Sequence, residues 1–364
     1  MSHIRSAQIY AFYLFDVAET VNLSAIPGLI GGPTVAARLA PKSPTPAYVQ
    51  YEKPPLSFDG ELIGVPHVGG FRARFRVYDY GVISLSLSRP FSGPWSGLVT
   101  AGQELIENDE LGGLAEDQCR AVVARMAPAL SGLRKEFLSE DYLVFAVHEL
   151  AQPLSALEVV KTYGPEIAAM LRGERQTLSP EERRRVLKHR ISYLADDLVI
   201  ATWNAALVYD TQAGAASALE ILEFANSQLL EFRYYDDLLD AQLASIYSTL
   251  QQPRWYDQWI GSRYTRAARE VHALLIDVNE LTDRTENALK FIGDLYAVRL
   301  FALVGSRLGL DTWKGNVQSK LKTLDEIYGF TVDQSSMSRG QFMELTIVLI
   351  LVLELVLLLL GVMQ

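Results

Sequence analysis

The sequence predicts an α+β protein in three parts: a mixed α/β domain at residues 1–212, a long antiparallel, coiled-coil-like helical hairpin at 213–332, and a single C-terminal transmembrane helix at 342–363, reached through a hinge at 333–341. Three observations carry this. The front half holds short runs that alternate apolar and polar residues, the signature of half-buried strands. Two long series in the middle repeat apolar residues at steps of three and four. The last twenty or so residues are almost wholly apolar.

In the front half, Ile9 to Phe15 reads as a strand. Phe71 to Leu87 alternates strongly and is broken at Asp79-Tyr80-Gly81, which predicts two strands around a turn or bulge. Tyr142 to Val147 is a short buried-strand run, and Ile191 to Tyr209 holds one or two strands around Ala195, Asp196 and Asp197. Helices are predicted near 117–136, 153–171 and 180–188, and the proline-rich stretch from Pro41 to Pro55 reads as an extended surface loop.

The first long series runs Ala215, Ala218, Leu222, Ala225, Leu229, Phe232, Asp236, Leu239, Leu243, Ile246, Leu250, and Pro253 closes it, since proline ends or kinks a helix. The second runs from Tyr264 through Val271, Val278 and Ile292 to Leu295. Two such helices joined by a short Pro-containing turn fold most simply as an antiparallel hairpin, or else pair with their copies in another subunit. A third helix is predicted from Asp311, as N-cap, to Tyr328, with Gly329 ending it.

From Phe342 to Met363 the 22 residues, at about 1.5 Å rise each, match a hydrocarbon core of about 30 Å. That predicts a tail anchor with the body on the cytoplasmic side, most simply of a bacterial inner membrane, and Lys320, Lys322 and Arg339 agree with the positive-inside bias. Glu354 falls mid-span, where an ionised carboxylate costs a few kcal/mol, so it is expected to be protonated and bonded between helices of an oligomer, or else ion-coupled. Glu344 falls at the interface. The N-terminus reads without a signal peptide or presequence.

The net charge of −10 argues against a globally basic nucleic-acid surface and against broad adhesion to anionic lipid. One cysteine, Cys119, excludes an intrachain disulfide. The run 28–33 is glycine-rich but lacks the order of a phosphate or dinucleotide loop, so it reads as a turn. The histidines at 3, 67, 148, 189 and 272 show no metal-ligand spacing. Residues 181–190 form the densest charge run, a solvated helix whose Arg183, Arg184 and Arg185 are candidates for docking an acidic partner. Asp236 and Asp240, four apart on one helix face, are weak candidates for a divalent ion. No cofactor is predicted.

Residues 197–210 (DLVIATWNAALVYD) followed by 218–236 (ALEILEFANSQLLEFRYYD) resemble the "required for meiotic nuclear division" family, as does the order of strands, helices and one apolar span with embedded glutamates. The resemblance covers 190–364. It implies a membrane assembly, in mitochondrial members one supporting organellar translation, and it carries no catalytic residues. The resulting expectation is a non-enzymatic, membrane-tethered homo-oligomeric scaffold that binds protein partners and the lipid bilayer. The alternative is a cation-conducting assembly with Glu354 in the membrane.

Overall fold

In the computed structural model, the residues described are 3–36, 54–65, 69–106, 108–251, 276, 278, 295–327, 347, 348 and 350–352. In chain order the strands are β1 (Ile4–Asp16), β2 (Thr20–Val21), β3 (Val35–Ala36), β4 (Leu56–Val65), β5 (Gly69–Val77), β6 (Val82–Gly93), β7 (Leu130–Ser131), β8 (Leu138–Leu150), β9 (Arg190–Ile191), β10 (Leu198–Ala201) and β11 (Ala205–Tyr209). The helices are α1 (Ile26–Ile30), α2 (Trp95–Ile106), α3 (Asp109–Met126), α4 (Ala156–Arg172), α5 (Pro180–Lys188), α6 (Gln212–Gln251) and α7 (Leu295–Leu308), with a further helix, α8, over residues 310–327.

Nine strands form one sheet in the order β3-β4-β5-β6-β1-β8-β11-β10-β9. β1 lies at its centre, antiparallel to β6 and β8, whereas β11 runs parallel to β8. Side chains alternate across a strand, so β1 serves two layers. Ile9, Ala11 and Phe15 join the core under α2, α3 and α4, with Leu143 and Phe145 of β8 and Phe75 and Leu85 of the β5–β6 hairpin. Trp95 opens α2 and stacks on Tyr163 of α4 at 4.7 Å between ring centres. Ser155 caps α4 and closes a reciprocal capping box with Glu158. The opposite face, with Phe12, Leu14, Tyr142 and Val144, is also buried. There Ser227 of α6 bonds Tyr80, and Phe224 of α6 packs on Phe301 of α7 at 5.7 Å.

The chain divides into two compact units. One takes Met1–Tyr234 with Arg284–Trp313, the other Tyr235–Asp283 with Lys314–Gln364. The expected boundary at 212/213 therefore falls within the first unit, because the first half of α6 belongs to the sheet's second face. Residues 221–232 are buried on every side, which a narrow coiled-coil seam does not require. That corrects the coiled-coil reading for this part of the helix: Arg76 of β5 pairs with Glu223, Tyr80 in the β5–β6 turn bonds Ser227 and Gln228, and Asn226 donates to the Leu222 carbonyl of the helix itself. In the second unit Leu239, Val278, Val317, Leu321 and Leu324 are buried. The rest of the second series lies largely outside the described residues, so the hairpin partner does too. Leu295, its last member, is 72 % exposed at the start of α7 rather than in a seam.

No helix among the described residues is long and apolar enough to cross a membrane. This corrects three expectations: the single C-terminal transmembrane helix, the tail-anchored membrane topology, and the localisation of a cytoplasmic body at an inner membrane. Within 342–363 the described residues are Ile347, Val348, Ile350, Leu351 and Val352, which are helical and about half-exposed. Apolar composition measures a preference for an apolar environment; it does not by itself fix a continuous helix of spanning length. Glu344, Glu354 and the 333–341 hinge lie outside the described residues, as does most of the Pro41–Pro55 loop.

Smaller differences have local causes. The glycine-rich run at 28–33 ends a short helix, with Gly31 at φ 70° taking the left-handed C-cap of α1. Asp311 is helical rather than an N-cap: Gly309, at φ 71°, separates α7 from α8, and its carbonyl accepts the amides of Thr312 and Trp313.

Candidate functional site

Strand β8 is longer than its parallel neighbour. β11 begins at Ala205 opposite Leu143, so residues 138–142 continue past it. Beyond the Leu143 amide, which donates to the Asn204 carbonyl at 3.1 Å, a notch opens at this end of the sheet. It is a cleft of about 740 Å³, lined by residues from both faces. Tyr13, with Leu105 and Ile106 at the end of α2, lines one side, and Leu229 and Arg233 of α6 line the other. Trp203 in the β10–β11 turn and Trp313 complete the walls. All these residues belong to the first unit.

The turn is fixed from beneath. Tyr142, fully buried, donates its hydroxyl to the carbonyls of Thr202 and Ala205, each at 3.0 Å. The Thr202 amide donates to the Ala205 carbonyl at 2.8 Å, and the Ala205 amide donates to the Thr202 hydroxyl at 3.1 Å. With the backbone so held, Trp203 projects outward and remains 65 % exposed. A large aromatic side chain held open at a cleft mouth is a feature of binding surfaces more than of cores.

The charges in the cleft are unequal. Glu140 is ion-paired with Arg233. Asp141, the next residue, is exposed and points to the opposite face of the strand. Partial burial raises its carboxyl, and the bond from its own backbone amide offsets only part of that; no cation pairs with it among the described residues. Its charge, together with burial as the larger cause, pushes the Tyr13 phenol up. The cleft thus presents aromatic faces and one uncompensated negative group.

Beside it, α6 crosses the sheet on a buried polar seam. Arg76 of β5 pairs with Glu223 at 2.8 Å and with Glu220 at 3.5 Å. Gln228 donates to the Tyr80 hydroxyl at 3.1 Å, and the Arg134 guanidinium sits 3.8 Å over the Tyr234 ring. Burial raises Asp16 to about 6 despite its Arg134 neighbour, and raises Glu220 to about 7 despite Arg76. Within the segment 218–236, Ser227, Gln228, Arg233 and Tyr234 each meet a specific group of the sheet or its loops.

The metal candidates meet a lysine instead. The Lys320 ammonium lies 2.7 Å from a carboxylate oxygen of Asp236 and 2.7 Å from one of Asp240. Both weak metal candidates are thus paired with one lysine, and no cluster of three metal-ligating side chains occurs among the described residues. Of the docking candidates, Arg184 turns its Nε to the Pro180 carbonyl at 3.2 Å, Arg183 is half-buried, and Arg185 is exposed. Cys119 is buried, and burial pushes its thiol up, away from a reactive thiolate. Sequence reasoning missed Tyr13, Asp141, Trp203 and Trp313. The one available signal was Thr202-Trp203-Asn204, a tryptophan in a tight break between two apolar strand runs.

A family model described as "Uncharacterized protein MJ0711, N-terminal domain" matches residues 6–216, from β1 to the start of α6. The "Uncharacterized protein MJ0711" of Methanocaldococcus jannaschii is 24 % identical over 233 residues, 63 % of this chain and 70 % of that protein. No solved structure matches. Neither match carries the name of the "required for meiotic nuclear division" family. The sheet, α1 to α5 and the Asp141 and Trp203 walls of the cleft all lie within the matched residues, and the chain belongs to the MJ0711 N-terminal domain family.

Proposed function

We propose that the protein is a non-enzymatic partner-binding scaffold, and that the cleft at the end of β8 is where a polypeptide partner docks. One observation carries this reading: Trp203, 65 % exposed, is held outward at the mouth of the cleft by a turn whose polar groups are satisfied internally. An aromatic anchor on a rigid turn beside a pocket is the arrangement from which binding hot spots are made. The neighbouring charges suit recognition. Glu140 and Arg233 neutralise each other, while Asp141 is left to select a partner of opposite sign.

The test is site-specific photo-crosslinking in cells, with benzoylphenylalanine in place of Trp203. The expected result is a discrete adduct with a polypeptide. The same probe in place of Leu157 on α4, which is 70 % exposed, should give none. No adduct from position 203, or equal labelling from both positions, overturns the proposal.

A further inference from the structure

Adjoining the acidic cleft is a surface of the opposite sign. Arg185 and Lys188, three apart and thus on one face of α5, are both exposed. Neither forms an ion pair with a carboxylate among the described residues. His189 caps the helix and contacts Arg307 from the last turn of α7. Burial first, then the charges of Arg307, Lys188 and Arg185, hold the His189 imidazole toward its neutral form. Three cationic side chains crowd one histidine in a chain of net charge −10.

The positions of the two surfaces matter as much as their signs. Leu308, the neighbour of Arg307, lines the cleft. The His189 carbonyl accepts the Ala201 amide at 3.2 Å, two residues before Trp203. The uncompensated acid and the uncompensated bases therefore flank one turn. Among the described residues they do not pair with one another.

We propose that the cleft receives the basic end of α5 from a second copy of this chain, so that two copies exchange Asp141 with Arg185 and Lys188 about a two-fold axis beside the β10–β11 turn. This rests on the cleft being a partner site and names its occupant. When complementary patches flank one point, a two-fold axis there brings each onto the other twice, which gives a closed, self-complementary interface. The aromatic walls suit the incoming groups, because guanidinium and ammonium ions are attracted to the faces of tryptophan and tyrosine. Asp141, Arg185, Lys188 and Trp203 all lie inside the family-matched residues 6–216, whereas Leu229, Arg233, Leu308 and Trp313 of the cleft lie beyond them.

Light scattering on the full-length chain reads the outcome. The native protein should show twice the 40.5 kDa chain mass. Asp141→Lys and the double variant Arg185→Glu/Lys188→Glu should each weaken association by about tenfold or more, as reversed charges face like charges. An equal mixture of the two should restore the mass, since every contact then again joins opposite signs. All three positions are exposed, and unchanged circular dichroism shows that the variants fold. A native mass of one chain, no effect of either reversal, or no recovery on mixing overturns the proposal. If the probe at 203 captures a different polypeptide while the native mass stays that of one chain, self-association fails and the partner reading stands.

Discussion

Two buried carboxylates set the chemistry of the α6 seam at the residue scale. Glu223 lies close enough to Arg76 to neutralise it, whereas Glu220, at 3.5 Å, bears more of the burial than of the attraction. Its carboxyl is raised to about 7, first by burial, and Asp16 is raised to about 6 for the same reason. In an unfolded chain such groups titrate near about 4. Between about pH 4 and pH 7 the folded form therefore keeps protons that the unfolded form has released. Stability from these groups is complete below pH 4 and is lost as pH rises through their folded values. Glu220→Gln removes the Glu220 share of that slope and leaves the share of Asp16. Relative to the native protein, its stability should improve by about 3 kcal/mol between pH 4 and pH 8, measured by urea unfolding across that range. An offset that does not vary with pH would show that Glu220 ionises normally.

At the scale of elements, local geometry decides what could be read in advance. The β5–β6 hairpin was legible because Phe71, Phe75, Ile83 and Leu87 alternate with polar residues and Gly81 breaks the run. At φ 98°, with the place of a Cβ only 1.7 Å from the Ala18 carbonyl oxygen, Gly81 has no room for a side chain. Gly81→Ala should cost at least about 2 kcal/mol, visible as a lowered urea midpoint. Helix α5 matches its predicted bounds, since Ser179, Pro180 and the acids of its first turn mark the start. Helix α2 and strand β4 escaped notice: α2 carries Gly97 and Gly102, which dilute its pattern, yet Phe145 leaves no space for a side chain at Gly102. The three-and-four spacing of α6 correctly marks a helix. Spacing could not show that a sheet face covers residues 221–232 as well, since the covering groups, Arg76 and Tyr80, come from about 150 residues earlier.

On the scale of the whole molecule, the cleft is made by tertiary structure alone. Tyr13, Asp141 and Trp203 come from β1, β8 and the β10–β11 turn and meet because β11 stops short of the end of β8. No spacing within the chain encodes that notch, whereas the weak metal candidates Asp236 and Asp240 are a pair visible on a single helix, and in the fold both pair with Lys320. The basic run at 181–190 was legible as a charged helix, and its exposed Arg185 and Lys188 are the groups that the proposed self-association uses. Hydrogen exchange of the full-length chain at two protein concentrations a hundredfold apart tests the resulting account most directly. Amides of 138–142 and 202–204, with those at the end of α5, should exchange more slowly at the higher concentration as the cleft is covered. Exchange there that is indifferent to concentration, with protection appearing elsewhere on the surface, would contradict it.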